Sequence, residues 1–217
     1  MSPRDRILQA AMTVFRRHGF RRSSIEETAE AAGLTRQALY HHFKSKEALF
    51  RAVIERVHDN ALADGAAAAE TAEAAGKALA DIIVAQVAAR LKAFIACFDG
   101  SPHVEELFSE HLNHARDLYQ HYAALHDAQV AATIERTVKR RKLALAPGMT
   151  AAKLARYVEL AVTGTKSAYP SMRPADAFLR DAEAILRTLI AGAVVPAKPK
   201  KPSPSARPVR RKAGVRK

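Results

Sequence analysis

The sequence contains no Trp, a single Cys (Cys97) and few aromatic residues, 6% of the chain. One Cys excludes an intramolecular disulfide and a four-Cys zinc site, and it suits a reducing compartment. Charges interrupt every apolar segment, so no run of about 18 apolar residues is available for a membrane-spanning helix. The opening residues Met1-Ser2-Pro3-Arg4-Asp5-Arg6 lack the apolar stretch of a signal peptide. These absences lead to the expectation of a soluble, cytoplasmic protein with no membrane partner. Catalytic patterns are missing as well. Glu110-His111-Leu112-Asn113-His114 has the wrong order and spacing for a metalloprotease helix, and Gly164-Thr165-Lys166-Ser167 lacks the leading Gly and the Gly-Lys step of a phosphate loop. With no G-x-S-x-G either, the expectation is no enzyme, no cofactor and no catalytic residue.

What is present is a surplus of positive charge, 35 Lys+Arg against 22 Asp+Glu in 217 residues. Its distribution is uneven. Residues 1–50 hold nine basic and five acidic residues, residues 51–195 hold 17 of each, and residues 196–217 hold nine basic residues and no acid. The last stretch is rich in Pro, Lys and Arg and has almost nothing to bury, so it reads as a disordered basic tail. Such a tail either adds affinity for any DNA or serves solubility alone.

Hydrophobic periodicity predicts helices throughout and no strand, an all-α fold. Ser2-Pro3 with Asp5 starts a first helix, along which Ile7, Leu8, Ala11, Val14 and Phe15 recur before Gly19 ends it. Ser24 and Glu27 form a capping box for a second helix, Ile25 to Ala32. Gly33 permits a tight turn, and Thr35 caps a third helix, Arg36 to His42. Ser45 caps a fourth, with an apolar stripe at Leu49, Phe50, Val53, Ile54 and Val57. Beyond residue 60 come a long amphipathic helix through Leu79–Phe98, a pattern from Val104 to Val138 that needs a break near Asn113 or Ala123, and two last helices at 150–168 and 175–192. The division expected is 2–62, 63–195 and 196–217, with a helix-turn-helix at about 24–43.

Helix three projects Thr35, Arg36, Gln37, Tyr40 and His41 outward. These types suit a major groove, where Arg pairs bidentately with guanine, Gln pairs with adenine and the Thr methyl meets thymine. The residues here also resemble a known family. Arg6-Ile7-Leu8-Gln9-Ala10-Ala11, Phe15, Gly19-Phe20, Ser23-Ser24-Ile25, Ala29 through Thr35, and Leu39 through Phe50 are similar in order and spacing to a TetR-type transcriptional repressor. Thr28 departs from the family's usual Ile, Val or Leu, which bears on how helices two and three pack. Gln37 replaces the commonest Gly, which bears on base preference.

The resemblance implies phosphate contacts from Tyr40, Lys46 and the Ser24 region, and base or flanking-phosphate contacts from Thr35, Arg36, Gln37 and His41. It implies a homodimer on a palindromic double-stranded DNA operator, with a helical domain that binds a small-molecule effector. Effector binding there would move the helix at Lys46–Ala61 and change the spacing of the two reading heads. The competing reading is a general DNA-coating protein dominated by the tail. It differs in being sequence-blind and in losing binding with salt.

The helical domain is less legible. Residues Phe94, Phe98, Phe108, His111, His114, Tyr119, Tyr122 and Tyr157 are candidates for a ligand pocket, although such stripes also build ordinary core. The helices at 150–168 and 175–192, with small residues Ala161, Gly164 and Ala168, are the candidate dimer interface or are buried within one chain. His114, Asp117 and His121 share a helix face. With no Cys there and Arg116 adjacent, solvated or pocket histidines read better than a metal site. Cys97 reads as a small buried hydrophobe.

Overall fold

The computed structural model describes residues 2–195, so the basic tail at 196–217 lies outside the described residues. Among those described, no helix is long and apolar enough to cross a membrane.

The first helix, α1 (Pro3–Arg22), starts on the expected capping box, with Ser2 and Asp5 satisfying each other's backbone N–H. It does not stop at Gly19. That residue takes φ 77° and ψ 168°, kinks the helix, and lets it continue to Arg22. Gly suits this position because φ +77° is strained for any residue with a Cβ, and a Cβ would also press on the Glu106 carboxylate. The kink turns the Arg21 N–H onto Glu106 Oε1 at 2.8 Å.

Helix α2 (Ile25–Ala31) opens on Ser24, whose backbone N–H donates to Glu27 at 2.8 Å while its Oγ accepts from the Glu27 N–H at 3.1 Å. Gly33 turns the chain at φ +66° into α3 (Arg36–His42), capped by Thr35. Thr28 fits this packing: it is fully buried, and its hydroxyl donates to the Ser24 carbonyl at 3.1 Å. Its methyl therefore faces apolar surroundings without leaving a polar group unsatisfied.

Helix α4 (Lys46–Ala74) is 29 residues long and runs through position 62, where the first domain was expected to end. It packs along α5 (Leu79–Phe98) for most of its length. The long 104–138 pattern breaks at Ala115, between α6 (Val104–His114) and α7 (Arg116–Arg141), beside the expected Asn113. The chain closes with α8 (Ala151–Ala168), a 3-10 turn (Pro170–Met172) and α9 (Ala175–Ala193).

The expectation of no strand needs one correction. Ala144–Leu145 (β1) pairs antiparallel with Val194–Val195 (β2). Two residues each are too few to show alternation in a sequence, and the pairing joins segments far apart in the chain.

One hydrophobic core runs from Ile7 to Ala193, with no gap between the N-terminal helices and the rest. Near its N-terminal end, Phe15, Phe20 and Phe50 meet with ring centroids 4.7–5.9 Å apart.

Candidate DNA-reading surface and ligand cavity

Helix α3 uses Leu39 for the core and leaves Thr35, Arg36, Gln37 and His41 exposed, with Tyr40 half-buried. Positions 36, 37, 40 and 41 fall on one face at helical spacing. Arg36 lies over the Tyr40 ring at 5.4 Å and pairs with Glu26 of α2 at 2.8 Å. This exposed pair is worth little and is readily exchanged for a stronger partner. The Thr35 oxygen accepts the Ala38 N–H at 3.2 Å, so its hydroxyl caps α3 while the residue stays exposed.

Lys46 is placed differently from the other expected contacts. Its Nζ donates to the carbonyls of Phe20, Arg21 and Ser23 at 2.9, 3.2 and 3.0 Å and sits 4.7 Å from the Phe20 ring centre. A lysine at this spot satisfies the orphan carbonyls at the end of α1. Lys46, expected as a phosphate contact, thus ties α4 to α1 in the chain without DNA, where three carbonyls converge on its amine. Ser24 is half-buried and likewise engaged in its capping box.

The reading head is fastened to the remainder by contacts that have no motif in the sequence. Arg51 of α4 donates to both Asp117 oxygens at 2.7 and 2.6 Å and to the His114 carbonyl at 2.6 Å. The guanidinium holds the Asp117 carboxyl down at about 2. Arg21 reaches Glu110 at 2.8 Å, and His114 stacks near Phe20 at 4.9 Å. Helix α6 therefore presents Glu106, Glu110 and His114 to α1.

On its other side α6 lines a cavity of about 470 Å³ with Phe108, Ser109, His111 and Leu112. Phe94 and Arg90 of α5, Tyr119 of α7, Thr163 and Lys166 of α8, and Met172 complete much of the wall, and His58 of α4 reaches it too. That volume lies within the range of small-molecule sites.

Four of the expected pocket residues, Phe94, Phe108, His111 and Tyr119, line this cavity. Phe98 is buried behind it, 5.4 Å from both the Phe94 and the Phe108 ring. Tyr122 supports the wall by stacking on His58 at 4.7 Å, and its hydroxyl donates to Asp59 at 2.5 Å. His114 and Tyr157 need correction. His114 belongs to the contact with α1, lying beside Phe20 and pairing with Glu110, and is not in the cavity lining. Tyr157 is 42% exposed on the outer face of α8. The spacing that put both among the pocket residues identifies a helix but not which neighbour each face meets.

The residues missed include apolar Leu91, Leu112 and Met172 and, more telling, polar Arg90, Lys166, His58 and Thr163. Burial and the surrounding charges hold His58 at about 3 and His111 at about 4, so both rings are neutral near pH 7. Their Nε2 atoms lie 3.3 Å apart, which requires one ring to donate and the other to accept. Arg90 is buried, and its Nη1 has no hydrogen-bond acceptor among the described residues. Lys166 Nζ lies 5.5 Å from the Tyr119 ring centre, and burial with Arg90 nearby lowers its pKa to about 8.

The helix face of His114, Asp117 and His121 gathers no common site, since Asp117 is held by Arg51 and His114 by Glu110. A different trio, His126, Asp127 and Glu159, has its ligand-type atoms within 4.8 Å of one another. His126 Nδ1 and Glu159 Oε2 already share a 3.3 Å contact, and Arg156 stands 4.0 Å from Asp127. Cys97 is half-buried, and burial pushes its thiol up, away from the reactive thiolate.

Comparison with known proteins agrees with this geometry. Residues 7–53 match the sequence model of the bacterial regulatory proteins, tetR family. The HTH-type transcriptional repressor KstR2 of Mycolicibacterium smegmatis is 42% identical over 53 residues, 24% of this chain and 26% of that protein. The HTH-type transcriptional regulator UidR of Escherichia coli is 42% identical over 60 residues, 28% of this chain and 31% of its own length. The matched segment thus spans between a quarter and a third of those relatives. Likeness of fold extends much further. A putative TetR-family regulator from Mesorhizobium loti superposes with a TM-score of 0.62 at 19% identity, over 89% of this chain and 97% of that one. SmeT, the repressor of the Stenotrophomonas maltophilia multidrug efflux pump SmeDEF, gives a TM-score of 0.58 at 22% identity, over 88% and 90%. Residues 7–53 thus resemble the tetR family of bacterial regulatory proteins, and the helices of the chain follow the fold of solved structures described as TetR-family regulators.

Proposed function

We propose that this protein is a sequence-specific DNA-binding transcriptional regulator, a homodimeric repressor released from a palindromic operator by a small-molecule effector. One observation carries the reading: α3 exposes Arg36, Gln37 and His41 with half-buried Tyr40 on one face, while Leu39 and the apolar residues of α1 and α2 pack behind it. The base-reading residues in this proposal are Thr35, Arg36, Gln37 and His41. Tyr40, Lys46 and the Ser24 region meet phosphates, and in the absence of DNA Lys46 also holds α4 against α1. No catalysis is assigned to the chain.

The same framework supports coupling to an effector. Helix α4 begins at the reading head and carries His58 in the cavity wall. Helix α6 carries Phe108 and His111 on the cavity side and Glu106 and Glu110 on the α1 side. An occupant that shifts α6 or α4 therefore strains the Arg21, Arg51 and Lys46 contacts that orient the head. Half-site spacing is fixed on DNA, so such a shift releases the operator.

Dimerisation through α8 and α9 is supported by the large apolar side chains those helices leave uncovered. Tyr157, Leu160 and Ile185 are 42%, 49% and 45% exposed. A second copy of the pair would bury them in a four-helix interface. Light scattering of Leu160→Glu and Ile185→Glu tests this, with monomers expected.

The test of function is nuclease footprinting on the DNA flanking the protein's own gene, at moderate salt. Protection of a short palindrome is expected, weakened by Arg36→Ala. Binding that is length-dependent, sequence-blind and abolished by salt would instead favour a DNA-coating role for residues 196–217.

A further inference from the structure

We infer that the cavity between α5, α6 and α8 accepts an amphipathic molecule with a single anionic group, such as a carboxylate, seated on Arg90 and Lys166. This deepens the effector-cavity reading above and rests on it.

The apolar part of the site is built by Leu91, Phe94, Phe108, Leu112 and Met172. They suit a hydrocarbon or aromatic body and offer it no hydrogen bond. The charged part is unbalanced. Arg90 and Lys166 both line the cavity. The buried acid that acts on both is Glu159, and it is already engaged. His126 Nδ1 lies 3.3 Å from one of its oxygens and the Thr163 hydroxyl donates to the other, also at 3.3 Å. His58 and His111 are neutral and add no charge. Asp127 stands with Arg156. Glu105, the remaining acid in the lining, is exposed to solvent, which screens it. Among the described residues, one cation in the wall is left without a counter-charge.

A buried guanidinium N–H with no acceptor is costly, and native proteins pair such groups. Arg90 Nη1 is in that condition, and among the described residues half-buried Lys166 faces the Tyr119 ring. A neutral ligand would leave both as they are, and a cationic one would add a third positive charge. A monoanion balances the site and supplies the missing acceptor.

The test uses full-length protein without DNA and two fluorescent dyes with the same ring system. One is 1-anilinonaphthalene-8-sulfonate, which is anionic, and the other is N-phenyl-1-naphthylamine, which is neutral. Lys166→Met is expected to weaken the anionic dye about tenfold or more, the scale of one charge-assisted hydrogen bond. The neutral dye should change less than about twofold, and Lys166→Arg should restore the anionic one. On wild-type protein, decanoate should displace the neutral dye about tenfold more effectively than decanol, a measurement that needs no variant. Equal displacement by the alcohol, or equal loss of both dyes in Lys166→Met, would overturn the anion assignment while leaving a ligand cavity in place. If neither dye binds, the cavity reading fails and the assignment fails with it.

Discussion

The N-terminal helices and the domain behind them treat polar residues in opposite ways. Among residues 2–50 the polar side chains that are buried are Ser23 and Thr28, and each donates to a carbonyl three or four residues back. Everything with functional chemistry in that region points outward. Behind it, Gln86, Arg90, His111, His126 and Glu159 are all buried, and their partners are on other helices or absent among the described residues. One region keeps its chemistry on a surface supported by local hydrogen bonds. The other keeps its charged and imidazole groups inside, where they depend on long-range neighbours, although buried Thr133 and Thr165 still bond one turn back. Local partners are cheap in chain entropy and act within one turn of sequence, whereas buried ones must be aligned by the whole fold.

Several measurements would break or sharpen that contrast. The largest effect is expected from truncating an aromatic in each region. Phe50→Ala removes a fully buried ring from the Phe15–Phe20–Phe50 cluster and should cost about 3–5 kcal/mol in denaturant unfolding. Phe94→Ala, beside an existing cavity, should cost less. Equal costs would show that the cavity wall is packed as tightly as the head.

Next in size are two arginines with opposite expectations. Arg36→Ala should lose about 1–3 kcal/mol of operator affinity in gel-shift titrations and leave the melting temperature unchanged. Arg90→Met removes a buried cation whose Nη1 has no acceptor, so the melting temperature should hold or rise. A collapse in stability would mean that Arg90 has a structural partner.

Acidification should affect the inner region first. His58 and His111 are depressed to about 3 and about 4, below the unfolded value near 6.5. In that interval the unfolded chain binds protons that the folded one refuses, so stability falls as pH drops from about 6.5. Each imidazole contributes at most about 1.4 kcal/mol per pH unit. The slope of melting temperature against pH should be shallower in His111→Asn. The Arg51–Asp117 pair works at lower pH: Asp117 is depressed to about 2, so its contribution is present above its unfolded range and lost on descent toward about 2.

The smallest effect tests the local side. Ser24→Ala removes the α2 cap and should cost about 1 kcal/mol, partly restored by Ser24→Asp. A much larger loss would mean that the head is less self-contained than its hydrogen bonds indicate.

The same contrast explains what was legible. Ser24, Thr35 and Ser45 announce helix starts because a cap bonds a backbone N–H three residues ahead, well inside a readable window. The bounds of α3 and its ordered residues follow from that short range, whereas the break expected near Asn113 or Ala123 comes from the length limit of a helix and falls at Ala115 with no side-chain cap. The three carbonyls that meet the Lys46 amine were not legible, because only the folded end of α1 brings them together. Gly19 was read as a stop because a left-handed Gly usually ends a helix. Here Glu106, on a helix that begins far along the chain, accepts the Arg21 N–H released by the kink.

By itself, the sequence determined the all-helical architecture, the reading helix with its outward residues, and the uneven placement of charge along the chain. Each follows from periodicity, capping or composition, which are properties of neighbours in the chain. The tertiary structure alone decided which aromatics face a cavity, that Tyr157 faces outward while Arg90 and Lys166 line the interior, and that α6 stands between cavity and reading head. A helical stripe states that one face is buried but never against what. That partner is chosen by the packing of segments far apart in sequence.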